Sequence, residues 1–182
     1  MSRGENRLLD GFKTPRLCVR PWSEMLSDNA KKDQLFDALR EMLTPDALAD
    51  LPPAMQLKPA TGAILDWVAD RQSESDVYTV QTRGANTVAG LLILAASLPG
   101  TATPELHLGY LFSQNAWGNG YATELVMGLV RALSPQAPLR IIGGVTRGNH
   151  ASARVFIKAG FGIQPSQTSG DTDFYAITLP HE

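Results

Sequence analysis

The sequence has one cysteine, Cys18, so it cannot close an internal disulfide or build a cysteine-rich metal site. No metal is expected, and a reducing cytoplasm is the expected compartment. Charge of one sign is also lacking. The formal net charge is −2, with no basic block and no basic helix face, which excludes the clustered phosphate neutralisation that nucleic acid demands. No apolar run reaches the length of a bilayer span; the longest, VAGLLILAA from Val88, suits a buried strand. The opening MSRGENRLLDGFKTPR holds no apolar stretch of the kind a secretory signal needs. Neither a nucleic acid nor a membrane is therefore an expected partner. An anionic ligand remains allowed if backbone N–H groups, rather than net charge, hold it. What is present is an ordinary globular composition: 182 residues, 43% hydrophobic and 19% charged, enough for one domain with a real core.

Periodicity divides the chain into alternating elements. RLCVRPW (Arg16 to Trp22) alternates apolar and polar from Leu17 and stops near Pro21, as a strand does. Leu35, Leu39, Met42 and Leu43 recur at helical spacing behind Ser27 or Asp28 as cap. Thr44 followed by Pro45 opens a short second helix that Pro52 and Pro53 end. TGAILDWVADRQ gives a third helical piece with Ile64, Leu65 and Val68 on one side. VYTVQTR and TVAGLLILAAS form a hairpin about GAN, where Gly90 marks a bulge or a tight contact. A loop with Pro99, Gly100 and Pro104 follows. ELHLGYLF (Glu105 to Phe112) is a fourth strand, YATELVMGLVRALS a strong helix, LRIIGGVTR (Leu139 to Arg147) a largely apolar fifth strand. NHASARVFIKAGF is a short helix stopped by Gly160, and DFYAITL a last strand. Strand–helix–strand across residues 105–147 requires a parallel pair with a right-handed crossover, whereas the other neighbours are antiparallel. The expected fold class is α/β (α+β), one domain over residues 1–182 with its core at about 14–179. It has no repeat and no low-complexity segment.

AWGNGYAT, Ala116 to Thr123, puts two glycines at a helix entrance. A plain turn explains them if only positive φ is needed. A dinucleotide fingerprint fails at its third glycine, where Thr123 stands, and its loop is too long. A nest of free N–H groups at a helix start, suited to a pyrophosphate, fits; a Walker lysine is missing.

GYLFSQNAWGNGYATELV resembles the acyl-coenzyme A binding motif of the GNAT superfamily of N-acyltransferases. More narrowly it is similar to the Rim-like branch, which acetylates ribosomal-protein N-termini. That branch's loop reads W-G-x-G-Y-A-x-E, matched by Trp117, Gly118, Gly120, Tyr121, Ala122 and Glu124. NHASARVFIKAGF resembles a second block of the branch through Asn149, Ser152, Val155, Lys158, Gly160 and Phe161, and TPRLCVRPW is similar to its first-strand opening. The resemblance implies an acyl-CoA N-acyltransferase fold. Its sheet would have six to seven mostly antiparallel strands, with the fourth and fifth splayed and helices on both faces.

The same resemblance implies acetyl-CoA as cosubstrate and an amine as acceptor, either a protein N-terminus or a small molecule, with a homodimer compatible. Gly118, Asn119, Gly120, Tyr121 and Ala122 would cradle the diphosphate beside Trp117. Backbone groups of Leu111, Phe112 and Ser113, with Asn149, would hold the pantetheine arm. A strand-splaying bulge is expected around Leu108 to Leu111, near Gly109. Glu105 and His107 lie two apart on one strand and so share a face. Histidine suits a base at neutral pH, while a carboxylate in that role needs a raised pKa or a water relay. Both also read as surface residues. Where most of the superfamily has a tyrosine acid this chain has Phe156, and Ser152 matches the serine that Rim-like enzymes place near the sulfur. The alternative to the enzyme is a non-catalytic acyl-CoA binding or regulatory module. Glu124 reads as structural, Tyr110 and Tyr121 as packing around the cofactor. The segments at about 28–72 and 164–173, where specificity would lie, carry no strong acidic groove.

Overall fold

The computed structural model describes residues 8–58, 60–97, 103–167 and 170–180. The loop at Pro99 and Gly100, and Thr168 and Ser169 of the late segment, lie outside the described residues. The strands are β1 (Phe12–Lys13), β2 (Leu17–Pro21), β3 (Asp76–Thr82), β4 (Val88–Ala96), β5 (Glu105–Phe112), β6 (Leu139–Thr146), β7 (Gly162–Ile163) and β8 (Thr172–Leu179). The helices are α1 (Ser23–Leu26), α2 (Asn29–Met42), α3 (Pro45–Leu48), α4 (Ala63–Glu74), α5 (Tyr121–Leu133) and α6 (His150–Lys158). One sheet of eight strands runs in the order β1-β2-β3-β4-β5-β6-β8-β7. Among the described strands, only β5 and β6 pair in parallel. The count exceeds the expected six to seven because β1 and β7, two residues each, are too short to show any alternation.

Capping sets the helix starts. The Asp28 carboxylate accepts from the N–H groups of Ala30 and Lys31 at the head of α2. Thr44 accepts from Ala47 N–H, with Pro45 at the first position of α3. The α4 stripe differs from expectation: Leu65 is exposed, while Trp67, Val68 and Arg71 are buried. Arg71 satisfies helical spacing with its stem, and its guanidinium lies over the Trp67 ring at 5.6 Å.

Two cores sandwich the sheet. On one face Leu125, Val126, Leu129 and Leu133 of α5 and Phe156 of α6 pack on Leu17, Val80, Leu92, Leu106, Leu108 and Ile141. Burying one such leucine contributes about 1.5–3 kcal/mol. On the other face α1 to α4 bury Leu35, Leu39, Met42 and Trp67 against Val77, Leu91, Ile93 and Leu111. Alternation along β5 therefore sends Leu106, Leu108, Tyr110 and Phe112 toward α5 and α6, and Glu105, His107, Gly109 and Leu111 toward the opposite face.

β5 and β6 pair only through Glu105–Arg140, Leu106–Ile141 and His107–Ile142, and then part. The splay is as the resemblance implied, but the bulge is not in β5. Its register with β4 is unbroken from Leu106 to Phe112. The irregularity lies between Val80 and Gln81 of β3, opposite Ala89. Divergence of β6 opens the gap by itself. At neighbouring Gly90 a Cβ would sit 2.6 Å from the Leu111 carbonyl oxygen, so the backbone approach there needs glycine.

Candidate active site

The parted strands leave a cavity of about 830 Å³ that reaches both faces of the sheet. Tyr121, Ala122, Ser152, Val155 and Phe156 line it on the α5/α6 side, and Ile93, His107, Ile142, Gly144 and Phe174 on the other. Its size falls in the range of about 300–1,000 Å³ usual for small-ligand sites.

The α5 entrance borders this cavity. Gly118 and Gly120 hold φ of +76° and +75°. A Cβ at Gly118 would meet nothing within 4 Å, and one at Gly120 only Arg16 at 3.6 Å. Conformation, not crowding, therefore asks for glycine here. The first N–H groups of α5 have no intrahelical partner, and the helix dipole adds its positive end. An anion is the matching ligand.

Arg16 secures the cradle from outside. One of its nitrogens donates to the Asn119 carbonyl at 2.9 Å, its Nε pairs with Glu124 at 2.6 Å, and its guanidinium covers the Tyr121 ring at 4.7 Å. Glu124 also accepts from the Arg16 N–H and the Thr14 hydroxyl. Burial alone would raise the Glu124 carboxyl; the Thr14 and Arg16 hydrogen bonds and the Arg16 charge outweigh it and hold the pKa below its ordinary value. Glu124 is thus structural, tying α5 to the β1–β2 turn.

Of the residues assigned to the cofactor, Leu111, Phe112, Trp117, Gly118, Gly120, Tyr121, Ala122, Asn149 and Ser152 line the cavity, while Ser113 and Asn119 do not. The Ser113 N–H donates to Ala89, and the Phe112 carbonyl accepts the Trp117 indole at 2.8 Å. The Asn119 amide folds back on Ala116 and Trp117. Asn149 is both a cap and a bridge: its Oδ1 accepts from Ser152 N–H at 3.0 Å and its amide donates to Asp50 at 2.7 Å.

His107 lines the cavity and Glu105 does not. Glu105 pairs with Arg140 at 2.6 Å and stands 3.4 Å from His107. The His107 Nε2 lies 3.0 Å from the Ser97 hydroxyl. Sequence reasoning missed Asp46, Asp50 and Asp171, which also line the cavity, three acidic residues where no strong acidic groove was expected. Two are anchored: Gln114 donates to Asp46 at 3.2 Å, and Asp50 receives Asn149. No local pattern marks a residue whose partner is 99 positions away. Tyr110, read from the sequence as packing around the cofactor, lines the cavity, and its hydroxyl oxygen is buried. Among the described residues no cluster of His, Cys, Asp or Glu could hold a metal, and no helix is long and apolar enough to cross a membrane.

A family model described as an acetyltransferase (GNAT) domain matches residues 16–162, most of the chain. The protein belongs to the GNAT acetyltransferase family. GNAT acetyltransferases carry out acyl transfer from a coenzyme A derivative. Solved GNAT structures share the fold at low identity. An acetyltransferase from Bacillus anthracis superposes with a TM-score of 0.70 at 20% identity, covering 93% of this chain and 98% of that one. RimL, a ribosomal-protein alpha-N acetyltransferase solved with coenzyme A, gives 0.68 at 15% identity, covering 93% and 98%. A ribosomal-protein-serine acetyltransferase from Vibrio cholerae, so described provisionally, gives 0.60 at 16%, covering 98% and 99%. No curated protein gives a significant sequence match.

Proposed function

We propose that this GNAT protein moves an acetyl group from acetyl-CoA to a primary amine by direct attack in a ternary complex, and that it stands with the Rim-like branch. The acceptor is a protein N-terminus or a small amine. The observation that carries the reading is the cavity through the sheet: one end meets the α5 entrance, the other the face that bears His107.

The chain's groups divide along that passage. The Gly118–Gly120 backbone and the α5 dipole take the diphosphate. Asn149 and the edge of β5 steady the pantetheine arm. The thioester supplies an activated acyl carbon. On the far face, His107 relieves the amine of a proton, directly or through water. Glu105, held by Arg140, acts through His107 rather than on the amine. Ser152 faces the sulfur from the first turn of α6. Asp46, Asp50 and Asp171 favour an acceptor that arrives as a cation.

The test is acetyl-CoA with a panel of peptides and small amines, following free-thiol release and the mass of each acceptor. The expected result is stoichiometric thiol and acetylated amine. Tight coenzyme A binding with no thiol release across the panel would make the protein a binding module instead.

A further inference from the structure

α5 borders a second groove, where it meets β1. A close approach creates it. A Cβ at Gly128 would sit 2.6 Å from the Thr14 methyl and 2.9 Å from the Phe12 ring, so glycine lets β1 and the turn after it lie directly on the helix. Beside this contact opens a groove of about 540 Å³, with Lys13, Pro15 and Arg83 on one side and Gly128, Arg131 and Ala132 of α5 on the other. It shares no residue with the cavity through the sheet. Gly128 lies two turns beyond the α5 entrance at Tyr121, about 10 Å along the helix axis.

The groove is cationic, and its charges come from three elements. Lys13 extends from β1, Arg83 from the turn between β3 and β4, and Arg131 from α5, one turn past Gly128 and so on the same face. Both guanidinium groups are held in place. One nitrogen of Arg83 donates to the Thr14 and Pro15 carbonyls at 3.2 and 3.3 Å, and Arg131 Nε donates to the Met127 carbonyl at 3.2 Å. These bonds fix position without cancelling charge. No carboxylate lines the groove. Among the described residues no carboxylate pairs with Lys13, Arg83 or Arg131, whereas Arg40, Arg140 and Arg147 each face one. The one acid of α5, Glu124, is committed to Arg16 and Thr14. On a chain of net charge −2, three gathered cations are a local excess, not a share of a basic surface.

We propose that this groove binds a small oxyanion of two to three negative charges, phosphate-bearing or polycarboxylate, at a site separate from the acyl-CoA cavity. The proposal does not rest on the acetyl-transfer reading. A guanidinium fork on either wall matches the paired oxygens of a phosphate or carboxylate, and Lys13 adds a point charge. The groove is larger than a lone phosphate, and Phe12, Pro15 and Ala132 offer apolar surface to the rest of the molecule.

The experiment is lysine footprinting of the wild-type chain at low salt, using an amine-reactive ester and mass spectrometry, with inorganic pyrophosphate or citrate as the anion. Lys13, Lys32 and Lys158 are all exposed, so Lys13 is the probe and the other two are controls. With one or both anions, Lys13 modification should slow about tenfold at ten times the dissociation constant while the controls hold. The anion that protects at lower concentration assigns the ligand to phosphates or to carboxylates. Arg131→Gln should need about tenfold more anion to protect Lys13. Arg154→Gln, which removes the same charge from exposed α6, should protect as wild type does. No protection of Lys13 by either anion, equal protection of all three lysines, or equal shifts in the two variants overturns the proposal. Protection of Lys13 in a chain that never turns over acetyl-CoA would sink acetyl transfer and leave this site standing.

Discussion

Two helices of this protein begin on the same backbone. Gly62 opens α4 at φ +84°, ψ +6°, and Gly120 opens α5 at φ +75°, ψ +9°. Neither side chain position is crowded. Yet only Gly120 borders the cavity, only its loop carries a second left-handed glycine at Gly118, and only it is braced by Arg16. A left-handed glycine at a helix start is thus a turn by default. Under the proposed function it becomes a binding element through what the fold brings next to it.

The sharpest way to break this comparison is the same substitution at both places. Gly120→Val and Gly62→Val force a β-branched residue into positive φ, a strain of about 1–3 kcal/mol each. Both should lower the melting temperature. Only Gly120→Val should weaken coenzyme A binding by calorimetry, by about 100-fold or more, near 2.7 kcal/mol. Equal losses in the two variants would mean the cradle has no special part in binding.

Glu124→Gln probes the brace and should cost about 1–2 kcal/mol of stability near neutral pH through its weakened charged hydrogen bonds. The pH dependence has a definite sign. Because the folded-state pKa is lowered, the wild-type contribution is complete above the ordinary value of 4.5 and lost as pH falls through the folded value. Urea melts at several acid pH values should therefore show wild type and Glu124→Gln converging as the pH drops. The start of α4 offers no such titration, because Gly62 brings no side-chain cap.

Tyr110→Phe should have the smallest effect and the opposite sign. Removing an unpartnered buried hydroxyl should stabilise the ligand-free protein by about 1 kcal/mol, a rise of about 2–4 °C in melting temperature for a chain of this size. A fall would show that the hydroxyl is already satisfied.

The cradle was legible because its parts are consecutive. Trp117 to Glu124 read as a unit, and Asn149 and Ser152 lie three apart, so local geometry and family resemblance both reach them. Alternation revealed the long strands, and the α5 stripe needed only helical spacing. The rest depends on chain segments meeting. Glu105 joins Arg140 across the parallel pair, and Asp50 joins Asn149 from the other face. Tyr110 meets Ser152 from a different element of the sandwich. Leu65 is exposed rather than on the buried side, and Arg71 is buried, because a helix's buried arc is decided by the surface it lands on, and Trp67 pulls that arc toward Trp22 at 6.4 Å.

The brace at Arg16 has a mechanical corollary. One side chain near the start of the chain grips the Asn119 carbonyl and Glu124 more than a hundred positions later, while Gln136 donates to the Leu8 carbonyl from beyond the end of α5. The leading segment is therefore a strap drawn along α5 from one end to the other. Trimming it to obtain a smaller domain would slacken the entrance to α5, because Arg16 would lose the chain that positions it.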